Sequence, residues 1–477
     1  MSARPPTDDA DLSATSDPQT PANRRAALRE RFRLSDTPAD DTSPKLSSAQ
    51  KHLLTGSSVL VIGAAVQGLA GMVFSLLVAQ WDTKVAFGDA SALFTSVLFV
   101  TFLAGLGLPV ALARYAADRS VSSDVVFTWA VVATACSAVV ASAFYLGVVS
   151  PKAAHVLWDW NPVGGFVLFA LIVMGSAFSL IFDVRCMTLR RWNLVLSRIL
   201  AVSVLKVAII PIGQDSPNRS LLIFLFLGGP VAISGFLGVI FVNRITGGKH
   251  RFTPKPATAR AATHYSAVNY VSTLAYQAPY FALPVIVLVN VSSAVNSSFY
   301  VAWGIVAVAF YVPSAIGQAL LAEGGKDGAH VRAQMRLAMA LAVAIMAVGT
   351  LVSFLGRSVV VAAYGKDYAD AAHILPTMMF AGIPWAMTSL YLTEARIMHR
   401  NLSTVIITTT LTLSIIVPAL ILVPGHGPGH GLNGAATAWL LGNVVAAVVA
   451  TVVTTIGRRT TANEHAVAEL DPLLPVA

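Results

Sequence analysis

Charge is what this chain has least of. Only 12% of its 477 residues are Asp, Glu, Lys or Arg, whereas 56% are hydrophobic. A soluble domain carries about 25% charged residues, so water cannot be the solvent for most of this chain. Cysteine is nearly absent too. Cys136 and Cys186 fall on different expected spans and form neither a disulfide framework nor a zinc site, so both are expected to be small core residues. Catalytic signatures are missing. G-G-K-H at Gly247 and E-G-G-K at Glu323 lack the first glycine and the Ser/Thr of a phosphate loop, which argues against ATP hydrolysis. There is no H-E-x-x-H, no G-x-S-x-G and no acidic pair inside an expected span. In G-H-G-P-G-H-G, Gly425 to Gly431, glycine and proline deny His426 and His430 the rigid spacing of a helical metal site. No cofactor, no metal, no nucleic-acid partner and no enzymatic activity are expected.

What the chain does have is long apolar runs. About 20 apolar residues cross roughly 30 Å of hydrocarbon, and breaks at charges, Pro/Gly clusters and turns divide the sequence into twelve such spans. They are expected at 57–79, 90–112, 125–149, 163–184, 195–213, 221–243, 264–290, 295–320, 337–361, 372–395, 402–423 and 432–456. The fold class is an all-α polytopic membrane protein. Residues 1–50 are rich in Pro, Asp, Ser, Thr and Arg and too poor in apolar groups to offset chain entropy, so they are expected to be a disordered cytoplasmic tail. Arg24, Arg25, Arg29, Arg31 and Arg33 within it read either as a solvated stretch or as a patch for anionic lipid. Residues 458–477 form a second expected tail.

Basic residues orient the spans. With both termini inside, sixteen loop lysines and arginines, among them Arg114, Arg185, Arg190, Arg191, Arg251 and Arg400, lie on the cytoplasmic side, against five outside. That asymmetry follows the positive-inside rule and supports a multi-pass protein of the cytoplasmic membrane with N- and C-termini inside. The basic, Gly/Pro-broken connection Asn243–Pro256 splits the chain into a lobe at 51–260 and a lobe at 261–457. Faint similarity between F-G-D-A-S-A-L-F-T-S-V-L-F-V-T-F-L-A-G-L-G-L-P and V-N-S-S-F-Y-V-A-W-G-I-V-A-V-A-F-Y-V-P-S-A-I-G is consistent with repeated halves.

Polar residues inside spans are the candidate site, because a charge near the bilayer centre costs at least about 2.5 kcal/mol. Lys206 lies deep in the fifth span; lining a polar cavity and snorkelling to the surface are its two readings. Gln67, beside Gly68 and Gly71, and Gln277, before Pro279 and Pro284, open the two lobes at matching positions. They read equally as substrate contacts beside weakened helices or as interhelical hydrogen bonds. Gly105, Gly107 and Pro109 mark the second span as a hinge or close-packing segment, as Pro279 and Pro284 mark the seventh. Arg114, Asp183, Arg185, Glu323, Glu394 and Arg396 sit at cytoplasmic span ends and read mainly as interfacial anchors. Glu394 and Asp183 are the weaker candidates for ion coupling.

Four stretches in order carry a family resemblance. Phe87 to Asp118, with its L-A-G-L-G-L-P-V-A-L-A-R, resembles the second span of polysaccharide flippases of the O-antigen type. A-L-L-A-E-G (Ala319–Gly324), A-Y-G-K-D-Y-A-D-A-A-H-I-L-P (Ala363–Pro376) and H-G-L-N-G-A-A-T-A-W-L (His430–Leu440) resemble that family's eighth, tenth and last spans. The resemblance implies the multidrug/oligosaccharidyl-lipid/polysaccharide (MOP) exporter superfamily. It implies about twelve helices in two six-helix bundles, related by a pseudo-two-fold repeat and set in a V around a central cavity. By that resemblance the expected function is flipping of undecaprenyl-diphosphate-linked oligosaccharide by alternating access. The expected partners are the lipid-linked glycan, membrane lipids and polysaccharide-assembly proteins. A cation-coupled multidrug exporter, a lipid II flippase and a non-transporting membrane component of polysaccharide assembly are the alternatives.

Overall fold

A computed structural model describes residues 48–109, 112, 123–149, 154–246, 256–323, 328–398, 400–425, 427 and 429–470. The expected N-terminal tail to residue 47, its arginine patch, and residues 471–477 lie outside the described residues, as do Arg114, Arg251 and His426. No strand occurs among the described residues.

Twelve principal helices follow in order. In the first half they are α1 (Ser48–Trp81), α2 (Lys84–Ala104), α3 (Ser123–Phe144), α4 (Pro162–Thr188), α5 (Trp192–Ala208) and α6 (Arg219–Ile240). In the second they are α7 (Pro256–Asn290), α8 (Ser293–Glu323), α9 (Gly328–Leu355), α10 in two parts (α10a, Ala369–Phe380; α10b, Gly382–Ile397), α11 (Asn401–Leu422) and α12 (Gly431–Leu470). Short helices precede α4 (His155–Trp160), follow α6 (Val242–Thr246) and precede α10 (Arg357–Tyr364). Helices dominate because lipid offers no partner to an unpaired backbone group. The turn residues place the ends. Thr83 accepts the Ala86 N–H to cap α2, and Asn161 accepts the Gly164 N–H at 2.7 Å ahead of Pro162.

All twelve expected spans have a counterpart, and ten are long and apolar enough to cross a membrane. The two others have local causes. Helix α5 has 17 residues, about 26 Å at 1.5 Å per residue. Helix α10 breaks at Ala381 because Pro384 has no N–H for the Phe380 carbonyl. Helix α12 runs to Leu470, past the expected lobe boundary at 457.

The second span is corrected. It was expected as one helix over 90–112, but α2 begins at Lys84 and ends at Ala104. Leu106 and Gly107 then take left-handed φ of 47° and 68° before Leu108 and Pro109 resume helical geometry. Glycine adopts that conformation freely, whereas leucine bears strain of order 1–3 kcal/mol. Tyr270 of α7 donates its hydroxyl to the Leu103 carbonyl at 2.8 Å, so the other lobe partly caps this broken end.

Two six-helix bundles result, α1–α6 and α7–α12, and they meet along α2, which packs against α7 and α8. Small residues let backbones approach. A Cβ at Gly235 of α6 would fall 1.9 Å from the Gly175 oxygen of α4. Large apolar side chains such as Val140, Ile240, Leu355 and Ile421 point outward, as lipid-facing positions do.

Candidate functional site: a cleft between the lobes

An open cleft of about 1040 Å³ lies between the two bundles. On one side α1 offers small residues, Ala64, Gly68 and Gly71, beside Gln67. On the other, α7, α8 and α10b offer an aromatic wall. Tyr280 meets Trp303 and Trp385 with ring centroids at 5.4 and 5.2 Å, and Phe310 stacks on Trp385 at 5.7 Å. Trp439 of α12 backs the cluster, 4.9 Å from Trp303. Such edge and offset contacts stabilise each ring pair by about 0.5–1.5 kcal/mol beyond area burial. The wall is therefore stiff. Trp385 also keeps a buried Nε1 donor without a partner.

Gln67 and Gln277 both line this cleft, from opposite lobes. Lys206 does not. It is not among the lining residues, and its Nζ sits 5.1 Å from the ring centroid of Phe94, on the packing side of α5. The cationic residue of the cleft is Arg396, at the end of α10b, exposed and in no ion pair among the described residues. Asp183 lines the cleft, but Arg198 of α5 grips both its carboxylate oxygens. Glu394 is turned away and buried, held by Arg458 of α12 at 2.7 and 2.5 Å. Both acids expected as weak ion-coupling candidates are thus neutralised by arginine. The net charge that these groups leave facing the cleft is one positive guanidinium.

The seventh-span prolines lie inside continuous α7. Pro279 cannot donate to the Ala275 carbonyl, and the Thr412 hydroxyl of α11 supplies the missing hydrogen bond. This proline thereby joins two helices of one lobe. Among the described residues no group of three or more His, Cys, Asp or Glu is placed to hold a metal ion. His430 Nδ1 lies 3.1 Å from the Leu422 and Pro424 carbonyls.

The cleft is shut at one end, where α1 finishes and α2 begins. Ser75 meets the Tyr364 hydroxyl at 3.0 Å, Gln80 donates to the Ala363 carbonyl at 3.0 Å, and Lys84 donates to the Asp367 carbonyl at 2.7 Å. Lys84 also lies 5.2 Å from the ring centroid of Tyr368. Behind these contacts Asp82 and Arg219 form a buried pair at 2.5 and 3.0 Å. We term this the Asp82 end. Toward the opposite end the cleft reaches Asp183, Met187 and Arg396.

Sequence reasoning missed the aromatic wall, the inward turn of Arg396 and the ring of contacts at the Asp82 end. Tyr276 and Tyr280, four residues apart around Gln277, were a readable signal for the wall. Nothing local tells Arg396 in the cleft from an interfacial anchor.

No protein-family profile matches the chain, and no curated protein matches it either. Solved structures do. An inward-facing multidrug resistance MATE family transporter of the MOP superfamily aligns with a TM-score of 0.58 at 17% identity, over 86% of this chain and 96% of that one. The outward-facing conformation of such a transporter aligns at 0.58 and 15% identity, over 87% and 96%. A MOP superfamily transporter from Pyrococcus furiosus, described by a binding pocket of reversed polarity, aligns at 0.56 and 16% identity, over 85% and 95%. At these identities the likeness concerns the fold. The chain has the two-lobe fold of MOP-superfamily transporters.

Proposed function

We propose that this protein is a non-enzymatic transporter of the cytoplasmic membrane, with both termini inside. It flips undecaprenyl-diphosphate-linked oligosaccharide, a polysaccharide precursor, by alternating access. The observation that carries the reading is the polarity of the cleft: a lone guanidinium, Arg396, beside an aromatic wall, with the lining acid Asp183 cancelled by Arg198. A guanidinium binds diphosphate oxygens through a planar fork of donors. Aromatic faces and the amides of Gln67 and Gln277 suit sugar rings and hydroxyls, while the prenyl chain stays in lipid. A lipophilic cation would meet one uncompensated positive charge and, among the described lining residues, no free carboxylate. The multidrug exporter remains the competing reading, because two of the structures with this fold are described as multidrug resistance transporters.

The deciding experiment is deletion of the gene followed by extraction of lipid-linked glycans. The flippase reading expects one such glycan to accumulate on the inner leaflet, with clearance restored by wild-type protein but not by an equally abundant Arg396→Ala variant. No accumulation, together with altered drug sensitivity, would refute it in favour of drug export.

A further inference from the structure

At the Asp82 end the backbones of the two lobes come close where α2 crosses α8. A Cβ on Gly88 would fall 1.7 Å from the Ser293 backbone oxygen. The next residue is Asp89, 4% exposed inside this contact. Its Oδ2 lies 3.6 Å from Nε2 of the half-exposed His155, and its Oδ1 is buried with no hydrogen-bond partner. Ser293 of α8 and His155 of the short helix before α4 are the polar groups that face it. The same contact holds a second orphan. Asn296 of α8 donates Nδ2 to the Gly88 carbonyl at 2.9 Å, while its own Oδ1 is buried and unpartnered.

A carboxylate buried with an unpaired oxygen is costly, whereas a neutral carboxyl in the same place needs only one acceptor. A metal cation fits poorly, because Asn296 presents its NH2 toward the Gly88 carbonyl and the Ser91 hydroxyl already donates to that carbonyl. We propose that Asp89 is a proton-binding site of the closed lobe interface. Its carboxyl takes one proton from the water at the Asp82 end as that end shuts, forming an O–H bond. It returns the proton to the same water when the lobes part. The closed state thus binds one more proton than the open state. By linkage, falling pH populates the closed Asp82 end and rising pH opens it.

The test reads lobe separation and needs no substrate, so its outcome is independent of the flippase reading. Nitroxide labels on Gln214→Cys, in the turn before α6, and Asp370→Cys, at the start of α10a, report the distance across the Asp82 end. The background carries Cys136→Ala and Cys186→Ala, and the protein is held in nanodiscs in sodium-free choline buffer. The closed-to-open ratio is expected to rise by up to tenfold per pH unit of acidification. Asp89→Asn, a neutral isostere, is expected to hold the short distance at every pH. A wild-type distribution that ignores pH overturns the proposal without reference to any variant. So does a pH response that survives Asp89→Asn but vanishes in His155→Ala, which would move the proton to the imidazole. Closure driven by added sodium at fixed pH would also overturn it.

Discussion

Pro279 leaves the Ala275 carbonyl without its helical donor, and the single hydroxyl proton of Thr412 on α11 is shared between that carbonyl and its own Thr408 carbonyl, 2.9 Å away. Removing the hydroxyl by Thr412→Val, nearly isosteric, strands a partly buried carbonyl between α7 and α11. An unsatisfied buried acceptor costs about 1–3 kcal/mol. In a Pro279→Ala background the restored N–H of residue 279 can serve the Ala275 carbonyl, so the same Thr412→Val change should cost roughly 0.5 kcal/mol or less. The expected coupling is therefore about 1–2 kcal/mol, well above the additivity error of about 0.3–0.5 kcal/mol. Unfolding by SDS titration in mixed micelles, on wild type, both single variants and the double, gives the four values needed. Equal costs for Thr412→Val in the two backgrounds would refute the claim that the threonine substitutes for the proline's missing donor.

Three further outcomes are expected. Asp82→Asn leaves Arg219 buried against the Ile210 and Ile212 carbonyls without its carboxylate, a loss of about 3–5 kcal/mol; replacing the pair with Leu and Met should recover most of it in the same titration. Gly88→Ala cannot fit the closed contact with Ser293, so the label pair across the Asp82 end should report mainly the long distance even though the protein inserts normally. Lys206→Met should leave inner-leaflet glycan clearance within about twofold of wild type, because Lys206 packs over Phe94 outside the cleft, whereas a larger fall would return it to the transport path.

Much of the fold was legible because the bilayer makes length and hydropathy decisive. Twelve apolar runs map onto twelve helices, and the Asn243–Pro256 connection falls between α6 and α7. The second span was misjudged because its apolar run continues through Gly105–Pro109 without a polar break, while the backbone turns at Leu106 and Gly107. Starting that span at residue 90 also left Asp89 in a loop, although the helix begins six residues earlier under the Thr83 cap. The site was legible in part. Gln67 and Gln277 stand out as amides in apolar surroundings, and both line the cleft. Lys206 stood out on the same ground, but depth along a helix says nothing about which face a residue occupies. That face is set by partners distant in sequence, such as Phe94 for Lys206 or Arg458 for Glu394.

Those distant partners explain how so sparsely charged a chain places charge. Asp124, Asp183 and Glu394 each find an arginine on another helix, at Arg185, Arg198 and Arg458. Each pair welds helices within a lobe, so it can remain intact while the lobes move. Arg396, which faces the cleft, and Asp89, which faces the contact between lobes 3.6 Å from His155, have no such arginine–carboxylate partner among the described residues. A charge compensated within its own lobe contributes little to the balance between open and closed states. A charge or carboxyl at a surface that opens gains or loses water with every cycle, and its free energy changes by kilocalories when it does. On that ground Arg396 and Asp89, both set at surfaces that open, are the residues we propose for the cargo and for the gate.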